Sequence, residues 1–254
     1  MAFAAFEFNL SDALLAQLVE LLNSMEPGPL TLENAAALPE GQGVYQLFHN
    51  GQLVYIGKTD SDAGLRQRLG RHVRSIQNRL NLNVQNVTFN AVRIFVFTAM
   101  DLETLLIRSY GRPDWNNRGF GSNDPGRRRD RTRLKPGGFD AQYPINVDRA
   151  LDFVIPTAGT VANCFAALKD GLPYVFRFET IPPQNRIPHP DLTNAQMALG
   201  DGPYTVRSVL QTAIAALPAA WQATALPSRV IIYRELDGYQ YNTDEGGQVI
   251  ARSQ

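Results

Sequence analysis

Apolar positions in the first part of the chain follow first a helical and then a strand period. Leucines recur every three to four residues after residue 9 and predict an amphipathic helix over residues 9–23. The run GVYQLFHNGQLVYIG, residues 43–57, predicts a β-hairpin, because Asn50 and Gly51 favour a tight reversal between two apolar strands. The chain therefore opens with a helix and a hairpin.

The apolar period changes again after the hairpin. Apolar residues at helical spacing from Leu65 to Leu80 predict a helix of about four turns. Residues 87–97 are rich in aromatic and β-branched side chains and predict a third strand. Residues 101–111 predict a short helix. A glycine- and arginine-rich stretch without apolar period follows and is predicted to be a loop.

Beyond about residue 145 the composition changes and a second set of elements is predicted. The pattern favours helices and strands in the order helix 158–169, strand 174–179, helix 204–217, strand 229–234 and strand 238–242. We therefore predict an α+β protein with two parts, a first domain over residues 1–144 and a C-terminal α+β extension over residues 145–254.

Composition excludes several classes of protein. No run reaches the roughly 18 apolar residues that a membrane span needs. The N-terminus carries acidic residues and lacks the basic segment of a secretory signal. The single cysteine, Cys164, excludes an intrachain disulfide framework and a zinc site built from several cysteines of one chain. These features favour a cytoplasmic protein without a membrane partner.

The formal net charge of zero conceals a basic middle segment. Residues 58–135 contain 16 Lys and Arg against 7 Asp and Glu, whereas the rest of the chain contains 8 against 17. All but two of these 16 are arginine, whose guanidinium can bind phosphate oxygens bidentately. The segment therefore predicts a surface that binds a polyanion.

Several polar residues of the first domain occupy positions where they can meet. Arg68 and His72 are four residues apart and share one face of a helix beside the apolar stripe. Glu103 lies within an apolar stripe of the next helix, where a carboxylate is costly unless it is paired or binds a metal. Pairing with Arg108 on the helix surface is the simpler alternative.

Two short motifs lie in the two strands of the predicted hairpin, GVY at residues 43–45 and YIG at residues 55–57. They are followed along the chain by Arg68 on a predicted helix, Glu103 on the next helix and Asn116 after it. This order resembles the GIY-YIG nuclease superfamily over about residues 40–120, with valine in place of the isoleucine of the first triplet. The tail PDWNNRGFGSNDPGRRR more narrowly resembles the GIY-YIG type II restriction endonucleases. The resemblance implies a small central antiparallel sheet flanked by helices. The C-terminal extension matches no family that we recognise.

The resemblance also implies metal-assisted phosphodiester hydrolysis. The implied catalytic residues are Tyr45, Tyr55, Lys58, Arg68, His72, Glu103 and Asn116. Glu103 is the expected ligand of Mg²⁺, with Mn²⁺ as a substitute, and Arg68 is expected to stabilise charge on the phosphoryl group. Either Tyr45 or His72 is the general base, and the family pattern favours the tyrosine.

Three further catalytic side chains have supporting roles under the same resemblance. Lys58 is expected to lower the pKa of the Tyr45 phenol by its charge. Asn116 is expected to orient Glu103 or the phosphate, and the Tyr55 hydroxyl is expected to contact phosphate.

The expected substrate is double-stranded DNA. The predicted DNA contacts are Arg71, Arg74, Arg118, Arg127, Arg128, Arg129, Arg131, Arg133 and Lys135. We expect a site-specific restriction endonuclease that acts as a homodimer on a palindrome and has a cognate DNA methyltransferase. A nuclease of relaxed specificity, acting as a toxin or in phage defence, and a DNA-binding module without catalysis are the alternatives.

Overall fold

The structure is a computed structural model that describes residues 10–59, 64–95, 102–121, 136–181, 187–235 and 247–254. It divides into two compact units. The first comprises Met1–Gln77 and Asn83–Phe120, and the second comprises Asn78–Leu82 and Gly121–Gln254. Both units combine helices with sheets, which confirms the predicted α+β class. Residues 136–144 lie in the second unit, and a functional domain boundary at residue 144 stays a prediction.

The first unit contains one antiparallel sheet and several helices. Its elements are, in chain order, α1 (Leu10–Ser24), β1 (Gly28–Pro29), α2 (Leu32–Ala36), β2 (Gly43–His49), β3 (Gln52–Thr59), α3 (Gly64–Gln77), β4 (Val87–Arg93), α4 (Leu102–Ser109) and α5 (Asp114–Arg118). The strand order is β1-β4-β2-β3, with every neighbouring pair antiparallel. The small central sheet flanked by helices is therefore confirmed. The short helix α5 is a correction, because its segment was predicted to be part of a loop.

The hairpin of β2 and β3 turns where the sequence predicts. Asn50 and Gly51 have φ values of 52° and 78°, the left-handed conformations that a tight hairpin turn requires. The register pairs Tyr45 with Gly57 and Leu47 with Tyr55. Because side chains of paired residues point to the same face, the two motif triplets contribute to one face of the sheet.

The two faces of this sheet are covered by different helices. Val44 and Ile56 pack on one face with leucines of α1 and α4, among them Leu18 and Leu106. Tyr45, one residue along the strand, points to the other face and contacts α3. The candidate site lies on this second face.

The second unit is built around a mixed sheet. Its elements are α6 (Phe139–Gln142), β5 (Ala158–Thr160), α7 (Val161–Gly171), β6 (Val175–Phe178), α8 (Pro190–Asn194), β7 (Gln196–Ala198), α9 (Val206–Ala215), β8 (Trp221–Leu226), β9 (Arg229–Arg234) and β10 (Gln248–Arg252). The main strand order is β10-β8-β9-β6, in which β6 and β9 are parallel. The sequence pattern missed β8 and β10, and the strand predicted at 238–242 lies outside the described residues. No helix in the described ranges is long and apolar enough to cross a membrane.

A short segment directly after α3 belongs to the second unit. The backbone N–H of Leu80 donates to the carbonyl of Pro144 (2.8 Å), and that of Asn146 donates to Asn78 (2.8 Å). Arg79 is nearly buried and donates through Nη1 to Asp140 (2.7 Å). The second unit therefore includes residues from two distant parts of the sequence.

Candidate active site

Both glycines of the motif are required by close packing. A Cβ at Gly43 would overlap the carbonyl oxygen of Val92 on β4. A Cβ at Gly57 would overlap the hydroxyl of Tyr45 and would lie 2.9 Å from the ring of Tyr55. Gly57 thus leaves the space in which the Tyr45 side chain lies across the hairpin.

Tyr45, Arg68 and His72 form one hydrogen-bonded group. The Tyr45 hydroxyl lies 2.8 Å from His72 Nε2, and Arg68 Nε–H donates to the same hydroxyl (3.2 Å). Because Arg68 is already a donor to this oxygen, both groups are satisfied when the phenol donates its own proton to Nε2. The predicted meeting of the hairpin with one face of α3 is therefore present.

Tyr55 lies beside this group on the same face of the sheet. Its ring centroid is 6.1 Å from that of Tyr45 and 5.7 Å from that of His72. Burial raises the pKa of the Tyr55 hydroxyl, while the charge of Arg68 lowers it. Arg68 therefore acts on both motif tyrosines.

Burial keeps the Tyr45–His72 pair uncharged. Tyr45 is fully buried and His72 is 4% exposed. Burial raises the pKa of Tyr45 far above its ordinary value, an effect that Tyr55 reinforces and Arg68 opposes. Burial, followed by the charges of Arg68 and Arg71, lowers the pKa of His72 to about 3. At neutral pH the pair thus consists of a protonated phenol and a neutral imidazole.

Lys58 and Tyr45 lie on opposite faces of the sheet, and a catalytic role of Lys58 stays a prediction. Lys58 pairs with Val44 in the hairpin register, so its exposed side chain leaves the sheet on the face opposite to Tyr45. The pKa of Tyr45 is raised by burial, and the cation that opposes this rise is Arg68. The alternation of side chains along β3 is the physical reason for this placement of Lys58.

Glu103 lies in the first turn of α4 and is half-buried. Leu102 and Leu106 of the same helix are buried against the sheet, on the face that Val44 and Ile56 occupy. The Glu103 carboxylate is nevertheless close enough to raise the pKa of Tyr55. The predicted metal ligand therefore interacts electrostatically with Tyr55.

Asn116 has a partner that the sequence did not predict. Its side chain accepts from the N–H of Ile56 and donates to the carbonyl of Ile56, both at 2.8 Å. The amide thus imitates a neighbouring strand on the edge strand β3 and connects α5 to it. An additional role of Asn116 toward Glu103 or phosphate stays a prediction.

Two aromatic residues complete the site and were not predicted as part of it. Phe120 stacks on His72 with a centroid distance of 4.9 Å and an interplanar angle of 28°. It also meets Tyr55 edge-on at 5.1 Å and packs on Trp115 at 5.1 Å. The run GFG was a signal for this arrangement, because glycines on both sides allow an aromatic residue to turn inward.

The predicted DNA contacts are described only in part. Arg71 and Arg74 are exposed on α3. Arg118 is paired with Asp114 at 2.7 Å along α5. The remaining predicted contacts lie outside the described residues: Arg127, Arg128, Arg129, Arg131, Arg133 and Lys135.

The donor set near the tyrosines suits only some metals. Within the described part of the chain, no three His, Cys, Asp or Glu side chains are grouped as metal ligands. One carboxylate, Glu103, fits Mg²⁺, which keeps several water ligands and takes substrate phosphate oxygens. It does not fit a closed structural zinc site, which needs four protein ligands.

Comparison with known families agrees with this geometry. Residues 50–136, about a third of the chain, match the model described as the Eco29kI GIY-YIG domain, a type II restriction endonuclease domain. The match includes Arg68, His72, Glu103 and Asn116 and begins just after Tyr45. No curated protein sequence matches the chain. The chain therefore contains a GIY-YIG nuclease domain of the Eco29kI type.

Proposed function

We propose that this protein is a site-specific type II restriction endonuclease that hydrolyses phosphodiester bonds of double-stranded DNA with a divalent metal. The observation that carries this proposal is the hydrogen-bonded group of Tyr45, Arg68 and His72 within a GIY-YIG domain of restriction type. A proton donor–acceptor pair beside a guanidinium supplies general acid–base chemistry and stabilises charge on a phosphoryl group, which both assist hydrolysis of a phosphodiester.

The proton chemistry rests on Tyr45 and His72. The attacking water must lose a proton, and Tyr45 accepts it only after passing its own proton to His72 Nε2, 2.8 Å away. The raised pKa of Tyr45 and the lowered pKa of His72 both oppose this transfer in the DNA-free protein. We therefore expect the bound phosphate and metal to change the local charge before the pair can act.

Arg68 connects this proton pair to the phosphate. Its guanidinium bonds the hydroxyls of Tyr45 and Tyr55, and we propose that it also donates to a phosphoryl oxygen of the bound DNA. The same cation stabilises negative charge that develops on the tyrosine or on the phosphoryl group.

Glu103 is the proposed ligand of Mg²⁺, with Mn²⁺ as a substitute. A bound Mg²⁺ would polarise the phosphate and stabilise the leaving 3′ oxygen. The electrostatic interaction of this carboxylate with Tyr55 supports the assignment, because the Tyr55 ring lies beside the Tyr45–His72 pair. Lys58, Tyr55 and Asn116 remain proposed catalytic residues, with Asn116 also holding the edge of the sheet.

The proposal includes a homodimer on a palindromic site. One site cuts one strand, so a two-fold symmetric dimer supplies both cuts of a duplex. Exposed Arg71 and Arg74 support phosphate binding by α3, and the arginines of residues 127–133 extend this basic surface in the sequence. A cognate methyltransferase would protect the host DNA.

Digestion of several fully sequenced DNAs in Mg²⁺ tests the proposal. The Tyr45→Phe variant, purified in the same way, controls for contaminating nucleases. Discrete bands that map to one short sequence are the expected result. A smear would replace the proposal with a nuclease of relaxed specificity, and DNA binding without cleavage would replace it with a non-catalytic module.

A further inference from the structure

Phe120 reaches the site through an unusual local backbone. It follows α5, whose C-cap Gly119 has a φ of 85°, and it precedes Gly121 with a φ of 73°. Both values lie in the left-handed region that favours glycine. The N–H of Phe120 donates to the carbonyl of Trp115 (3.1 Å), so the chain turns back and the ring is directed into the unit, where it is 6% exposed.

The Phe120 ring contacts the aromatic residues of the site in different geometries. It lies nearly parallel to the imidazole of His72, at 28° and 4.9 Å, and nearly perpendicular to Tyr55, at 84° and 5.1 Å. Trp115, which is 2% exposed, packs on it at 5.1 Å. The orientation of the imidazole plane is therefore fixed by a stacked ring that is itself held by a buried indole.

A fixed imidazole plane matters because His72 meets Tyr45 through one ring nitrogen. Rotation of the ring away from this plane would move Nε2 out of line with the Tyr45 hydroxyl, which is 2.8 Å away. The flat cover of Phe120 also shields the imidazole from water, and burial is the main cause that keeps His72 neutral. Both effects preserve the lone pair on Nε2 that accepts the Tyr45 proton.

We propose that Phe120 is a positioning residue for the nuclease reaction, which holds the His72 imidazole in line with the Tyr45 hydroxyl. This inference rests on the proposed function of the same site. The turn at residues 119–121 would then contribute to proton transfer as well as to packing.

The test compares Phe120→Leu, which keeps apolar volume but loses the flat face, with the conservative Phe120→Tyr. Phe89→Leu on β4 is the matched control, because it makes the same change on the same face of the sheet, across β2 from Tyr55. The first readout is the ¹⁵N spectrum of the histidine rings in the DNA-free protein, followed from pH 5 to pH 8. The second is the single-turnover cleavage rate as a function of pH.

In the wild-type protein we expect His72 to hold one neutral tautomer, with its proton on Nδ1, and not to titrate in this range. Phe120→Leu should mix the tautomers, raise the pKa of His72 toward its ordinary value and slow cleavage roughly tenfold or more. Phe120→Tyr should retain the wild-type spectrum and rate. Phe89→Leu should leave both unchanged.

A His72 spectrum in Phe120→Leu that equals the wild-type spectrum would overturn the inference, and so would an equal rate loss in Phe89→Leu. The spectrum does not require cleavage. If the wild-type protein cuts no DNA, the proposed function fails on its own, while the spectrum still decides the role of Phe120.

Discussion

At the scale of single residues, burial decides the chemistry of the Tyr45–His72 pair. The two side chains lie within hydrogen-bond distance. Burial nevertheless raises the pKa of Tyr45 and lowers that of His72, so transfer of a proton from the phenol to the imidazole is unfavourable. Arg68 opposes this effect at Tyr45 but adds to it at His72. The DNA-free site therefore holds its proton on the phenol.

The buried neutral His72 predicts a pH-dependent stability. The pKa of His72 is about 3 in the folded state and about 6.5 in the unfolded chain. The contribution of His72 to the free energy of unfolding is therefore fully present above pH 6.5 and is lost as the pH falls toward 3. The loss is about 1.4 kcal/mol per pH unit within this window. We expect urea denaturation between pH 4.5 and pH 7.5 to show this extra slope in the wild-type protein relative to His72→Phe.

The other titrating groups are the same in both proteins. Their contributions therefore cancel when the free energy of unfolding of His72→Phe is subtracted from that of the wild-type protein. Parallel stability curves for wild-type protein and His72→Phe would contradict a neutral buried imidazole.

If Glu103 binds the metal, its replacement should stop DNA cleavage without weakening DNA binding. Glu103→Ala removes the proposed metal ligand but leaves Arg68 and the exposed arginines of α3 in place, so we expect lost cleavage with DNA affinity within about threefold of wild type. Single-turnover cleavage and gel-shift titration measure the two effects. EDTA should stop the wild-type enzyme in the same way, and full activity in EDTA would exclude the metal role.

At the scale of elements, hydrogen bonds between distant segments decide what the sequence can predict. The hairpin and the helices α1, α3 and α4 were predictable, because their apolar period and turn residues are local signals. Strand β8 was not, because alanines of low strand propensity alternate there with Gln222 and Thr224, two polar residues that are buried. They are accommodated by a bond to each other (3.0 Å) and by Arg252 of β10, neither of which a local pattern reveals.

The same reason explains the missed parts of the site. The residue types of the candidate site were predictable from their order and spacing. Two other contacts depend on how the elements pack: the amide of Asn116 on Ile56 and the stack of Phe120 on His72.

The hydrogen bonds of Arg79 indicate that the segment after α3 stabilises the fold of the second unit. Its Nη1 donates to Asp140 (2.7 Å) and to the carbonyls of Tyr143 (2.9 Å) and Pro227 (3.3 Å). Arg79→Ala would remove three hydrogen bonds to part-buried acceptors, and we expect it to lower the free energy of unfolding by about 3 kcal/mol in urea denaturation.

Arg207→Ala is the matched control, because Arg207 forms an exposed ion pair with Asp148 in the same unit. We expect that variant to lose less than about 1 kcal/mol. Equal losses in the two variants would show that Arg79 has no special role.

At the scale of the whole molecule, the charge asymmetry indicates where DNA binds. The basic excess lies in residues 58–135, and the rest of the chain is acidic. Binding driven by phosphate contacts weakens with salt in proportion to the number of contacts. A dense part of this excess, residues 127–133 with five arginines and one aspartate, lies outside the described part of the chain.

Replacing Arg127, Arg128 and Arg129 together by Ala tests this assignment. Each lost phosphate contact should lower the slope of log affinity against log salt by roughly 0.9. Fluorescence anisotropy of labelled DNA at several salt concentrations measures the slope. Replacement of Lys169, Arg177 and Arg207 by Ala, three basic residues outside the basic segment, is the control. An unchanged slope in the first variant would remove residues 127–129 from the DNA-binding surface.

The central claim is that the Tyr45 hydroxyl takes part in phosphodiester hydrolysis, and the single-turnover cleavage rate of Tyr45→Phe tests it most directly. The substitution removes one oxygen atom that bonds His72 and Arg68, and it leaves the phosphate-binding arginines in place. We predict a rate at least about a hundredfold below wild type with unchanged DNA affinity. A rate near that of wild type, together with an inactive His72→Ala, would contradict the account and assign the base to His72.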